Sequence, residues 1–222
     1  MVFLPIPILL MAVLVLGLPV LALLLTLDVV SFAAAKLGLS APAGLLVFYL
    51  ILLGSLINLP LYRRQVAVLT PVLPPNPWLA HYWGFPLSRT TQETVIALNL
   101  GGGLIPVLLA VYQFFQASPL AILTVTAGVS LVSYFAARVV PGIGIQMDAL
   151  TAPLTAALLT FLVAPDHAAP VAFAGGVLGT LIGADLLHLP DLKHMGAGVL
   201  SIGGAGVFDG IALCGLVALL LT

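Results

Sequence analysis

Residues 168–188 read AAPVAFAGGVLGTLIGADLLH, and how this stretch is read decides the fold. Residues 168–184 carry no charge, and an acid then follows at Asp185. An apolar run of about 20 residues is long enough to cross a bilayer as a helix. Gly175, Gly179 and Gly183 recur at every fourth position, which lines three small residues along one helix face. Such a stripe lets a neighbouring helix approach closely inside a membrane. An aspartate in a span costs about 2.5–3.5 kcal/mol at the helix centre on insertion scales, so it normally faces a cavity or a partner.

The rest of the chain has the same character. It has 222 residues, 62% hydrophobic and 6% charged, where a soluble domain carries roughly a quarter charged residues. A net charge of −1 gives no basic surface for nucleic acid. The single cysteine, Cys214, excludes an internal disulfide. Residues 2–27 carry no charge and lack a basic leading segment, so they fit a first span better than a signal peptide. Apolar runs between charges and Pro/Gly clusters predict seven spans, at about 4–27, 43–61, 94–116, 119–137, 149–165, 168–188 and 196–222. The expected fold is therefore all-α: one polytopic transmembrane helical bundle over residues 1–222, with the lipid bilayer as its first partner.

The polar stretch 62–93 holds Arg63, Arg64, Arg89, a proline cluster and the aromatics Trp78, Tyr82, Trp83 and Phe85. Trp and Tyr favour the headgroup layer, so the stretch reads as an interfacial loop. Basic residues favour the cytoplasmic side. Placing this loop inside puts Arg63, Arg64, Arg89, Arg138 and Lys193 inside, leaves only Lys36 outside, and makes the N-terminus cytoplasmic.

That orientation gathers polar residues at one depth. Asn58, Asn99, Gln146, Asp148, Asp185 and Asp209 all fall near the cytoplasmic end of a span. Three glycine-bearing stretches start at the same level: Gly101–Gly103, Gly142–Gly144 and Gly203–Gly206. Dense glycines suit either close packing or an unwound helix lining a cavity. The stretches after Asn99 and Ser201 echo each other, each reading polar, apolar, then three glycines in four positions. Asp185 and Asp209 flank one short cytoplasmic loop, and two close carboxylates sharing a proton can activate water for attack on a peptide bond. Asn99 and the amides of Gly203, Gly204 and Gly206 would bind substrate or an oxyanion, and Asp148 could join them. Asp185 and His188, neighbours on a continuous helix, are an alternative pair for zinc or manganese. Otherwise no metal or cofactor is expected.

The segments Gly179-Thr180-Leu181-Ile182-Gly183-Ala184-Asp185-Leu186 and Ser201-Ile202-Gly203-Gly204-Ala205-Gly206-Val207-Phe208-Asp209-Gly210 resemble an uncharacterised prokaryotic family of polytopic membrane proteins. The resemblance is clearest over about residues 141–222 and implies a prokaryotic inner membrane. A looser likeness is to the GxGD intramembrane aspartyl proteases of the presenilin and prepilin-peptidase type, in which two aspartates on consecutive spans flank a cytoplasmic loop. Val207-Phe208 lengthens that glycine–aspartate spacing by two residues here, and Ala152-Pro153-Leu154 permutes the presenilin Pro-Ala-Leu motif. This likeness implies a membrane-embedded di-aspartate hydrolase, most concretely an intramembrane peptidase acting on a transmembrane peptide. The alternative is a small transporter or channel whose aspartates couple protons or bind an ion; a third is a structural membrane partner without chemistry.

Overall fold

A computed structural model describes residues 24–71, 87–140, 144–190 and 198–204. The chain divides into two compact units, Met1–Leu50 and Ile51–Thr222. α1 (Leu24–Lys36) lies in the first and bends by 111° into α2 (Ala41–Gly54), whose last four residues belong to the second. Two backbone bonds end α1, Leu39 N–H to Ala34 O (2.9 Å) and Gly38 N–H to Ala35 O (3.1 Å), the pairing by which a chain leaves a helix at a glycine. The Lys36 ammonium lies 4.9 Å from the Phe32 ring centre.

The second unit corrects the all-α expectation. Strands β1 (Asn58–Pro71) and β2 (Leu87–Asn99) form a long antiparallel hairpin. β5 (Gly198–Ile202) adds in parallel to β2, giving the order β1-β2-β5. A second, two-stranded sheet joins β3 (Arg138–Val140) to β4 (Gly144–Gln146). The described part of 62–93 is thus strand rather than loop. The physical reason is its Val and Thr content, as in Val66-Ala67-Val68 and Thr90-Thr91, since β-branched residues fit a pleated surface. The proline cluster and aromatics of 72–86 lie outside the described residues.

The hairpin also trims the expected spans. The run 43–61 is helical only to Gly54, and 94–116 begins as strand before α3 (Leu100–Gln113) takes over. The start of 196–222 is β5, and 4–27 falls mostly outside the described residues. α4 (Pro119–Ala136), α5 (Thr151–Val163) and α6 (Ala168–Thr180, continued as a wider π-helical turn over Leu181–Leu186) match their predicted runs closely. Among the described residues, two helices are long and apolar enough to cross a membrane, Pro119–Ala136 and Pro165–Leu186, or three if the bent α1–α2 pair is one span. α3 and α5 are apolar but short; at 1.5 Å per residue they reach about 20 Å, less than the hydrocarbon core of about 30 Å.

α6 is the central element, packed against α3, α4 and α5. It is buried on nearly every side, as suits a helix apolar all round. α4 presents Ile122, Val125 and Val129 inward, all fully buried, and its outer side exposes Leu120, Leu131 and Phe135. The glycine stripe of α6 packs closely on a neighbouring helix as its spacing predicts, and that helix is α4: Gly175 lies over Val125, Gly179 over Val129 and Gly183 over Ser130.

Candidate functional site

Of the polar residues expected to converge, Asn58 and Asn99 meet each other, and Asp185 meets the glycine turn after β5. The first contact centres on Asn99, at the junction of β2 and α3. It is almost fully buried, and its carboxamide makes three bonds. Oδ1 accepts the N–H of Gly102 at 2.7 Å, which caps the π-helical turn opening α3. Nδ2 donates to Ser55 O at 2.7 Å and to Asn58 Oδ1 at 3.1 Å. Asn58 Oδ1 also accepts from the Ser201 hydroxyl of β5. One buried amide therefore ties the end of α2, the hairpin and β5 together. Both of its N–H donors are engaged within the fold, which suits it to scaffolding.

The second contact centres on Asp185, in the π-helical turn that ends α6. The residue is 3% exposed, and its Oδ2 accepts the N–H of Gly203 at 2.7 Å. Gly203 has φ +68°, a left-handed conformation that costs any other L-residue roughly 1–2 kcal/mol. It also rests directly on α3: a Cβ here would lie 2.7 Å from Gly103 N and 2.8 Å from Gly102 C. The two glycine stretches that echo in sequence therefore touch in space. Their strands run parallel, but Ser201 pairs with Ala97, so the echo is offset by two residues.

The other predicted residues distribute as follows. Gly204 donates its N–H to Ser201 O at 3.0 Å, closing the turn after β5. Gly206 and Asp209 lie outside the described residues. Asp148 is exposed, and its Oδ1 accepts the Leu150 N–H at 2.9 Å, forming the turn that leads into α5. His188 is buried; its Nδ1 lies 3.1 Å from Gly183 O, and its ring lies 4.8 Å from that of Tyr134. Among the described residues no group of three or more His, Cys, Asp or Glu is placed to hold a metal, so Asp185 and His188 lack a third ligand there.

Ser201 and Tyr134 are the residues that sequence reasoning passed over. The signal for Ser201 was its place in the echo of Asn99. Nothing in the sequence singles out Tyr134, because its contact with His188 is tertiary.

The arrangement has a clear chemical character. A carboxyl group is buried at the end of an apolar helix and bonded to a glycine turn from the chain segment that carries the second acid. π-helical turns often occur at functional sites, and this one carries Asp185. No curated protein and no solved structure matches the chain. A family model described as a protein of unknown function, DUF1614, matches residues 52–221, which include both acids and both glycine stretches, and the chain belongs to that family.

Proposed function

We propose that the chain is a membrane-embedded di-aspartate hydrolase, most concretely an intramembrane aspartyl peptidase of a prokaryotic inner membrane. The observation that carries the reading is the Asp185–Gly203 hydrogen bond. Asp209 follows Gly203 by six residues, a length of chain that reaches at most about 20 Å even when extended. The bond therefore supports a shared site for the two acids. One carboxylate would take a proton from water while the other polarises the scissile carbonyl. The seven-span count and the cytoplasmic N-terminus belong to the same proposal. The hairpin bearing Arg63, Arg64 and Arg89, and Arg138 after α4, support that orientation through the preference of basic residues for the cytoplasmic face.

A second reading, a small transporter or channel, is favoured by the π-helical turns at 100–104 and 181–186, since broken helices often line ion and substrate sites. Proteoliposomes separate the two. In the peptidase reading, wild type cleaves a model transmembrane peptide. Asp185→Asn and Asp209→Asn each lower cleavage by roughly a hundredfold or more, the scale of general acid–base catalysis. Ion flux without cleavage in wild type would favour transport and overturn the peptidase.

A further inference from the structure

His188 is buried, sits three residues from Asp185, and takes no part in the chemistry proposed for the two acids. Its surroundings assign it a task. Where the π-helical turn ends, the Leu187 N–H bonds to Ile182 O at 2.9 Å. The next carbonyl, Gly183 O, lies 3.1 Å from His188 Nδ1. Because a carbonyl only accepts, Nδ1 carries the proton and donates it. Helix ends leave carbonyls without backbone partners, and a histidine near the C-terminus can supply the missing donor.

The same turn is clamped from the other side. A Cβ on Gly183 would lie 2.3 Å from Ser130 O, so the turn is pressed onto α4. Tyr134, one helical turn along α4 from Ser130, packs its ring on the imidazole at 4.8 Å and a tilt of 31°. Two residues past Gly183, Asp185 sends its carboxyl to Gly203.

We propose that His188 is a positioning residue: its imidazole, braced by Tyr134, holds the turn that aims the Asp185 carboxyl at Gly203. The functional meaning of that aim rests on the hydrolase reading of Asp185, but the contact itself is tested without substrate. His188→Leu removes the donor at similar size. His188→Asn places its Nδ2 close to where the imidazole has Nδ1, and so keeps a donor.

The test is hydrogen exchange of the Gly203 amide, followed by NMR on glycine-labelled protein in lipid nanodiscs, with Asp185→Ala as the released reference. His188→Leu speeds exchange at Gly203 roughly tenfold, as expected for losing one hydrogen bond's worth of local stability, while His188→Asn returns it to the wild-type rate. If His188→Leu does not fold, His188→Gln, whose amide sits nearer the Nε2 position, takes its place with the same expected acceleration. Unchanged protection without the donor, or equal loss in His188→Asn and His188→Leu, overturns the proposal. In cleaving protein, His188→Leu lowers kcat with KM held and His188→Asn rescues it. A protein that never cleaves removes the peptidase reading and leaves the exchange result to decide His188.

Discussion

At Asn99 a single carboxamide serves three elements, and its removal should show that. Asn99→Ala leaves the buried Gly102 N–H without its acceptor, and an unsatisfied buried donor costs about 1–3 kcal/mol. The expected result is a lower unfolding midpoint in detergent, with Asn58→Ala, an exposed site, costing less. Gly203→Ala combines a left-handed backbone with contact against Gly103; it should cost at least about 2 kcal/mol and release the Asp185 bond. Asp185 and Asn99 were legible from the sequence because a polar group amid apolar residues must find a partner. Which partner was not legible: Gly203, Ser55 and Asn58 are remote in sequence and meet only through strand pairing.

The glycine stripe was legible as a close-packing face from its four-residue spacing, but its partner, α4, was not. Gly179→Val places new methyl groups where a Cβ alone would already lie 2.6 Å from Val129 Cβ. Overpacking of this kind costs about 1–3 kcal/mol. Leu131→Ala, on the outward side of α4, should stay within roughly 0.5 kcal/mol, and thermal unfolding in detergent compares the two. The hairpin was misread for a reason of the same kind. Arginines and prolines in 62–93 suggested a loop, while the Val and Thr residues between them favour a strand. That preference needs a pairing partner to be realised, and the two halves of the stretch supply it to each other, Tyr62–Pro71 pairing with Leu87–Ile96.

Over the whole molecule, the proposed orientation puts Asp185, the arginine-bearing hairpin and the β5 turn towards the cytoplasm, which labelling can test. In a Cys214→Ser background, Gln146→Cys and Asp166→Cys both place a thiol at an exposed position. A membrane-impermeant maleimide added to intact cells should label Asp166→Cys at once and Gln146→Cys only after permeabilisation; the reverse order inverts the topology. Helices apolar enough to cross a membrane were foreshadowed by composition, because 6% charge leaves little polar surface for water. Asn99, Asp185 and Gly203 stood out in the sequence as residues, but their hydrogen-bond partners did not. In the proposed hydrolase, Asp185 and Asp209 form one water-activating pair. The direct measurement is the distance between their carboxyl groups in a cryo-electron-microscopy map of the protein in a lipid nanodisc. The account predicts hydrogen-bond reach, directly or through one water; a fixed separation beyond about 10 Å would contradict it, because a general base must reach its proton directly or through one water.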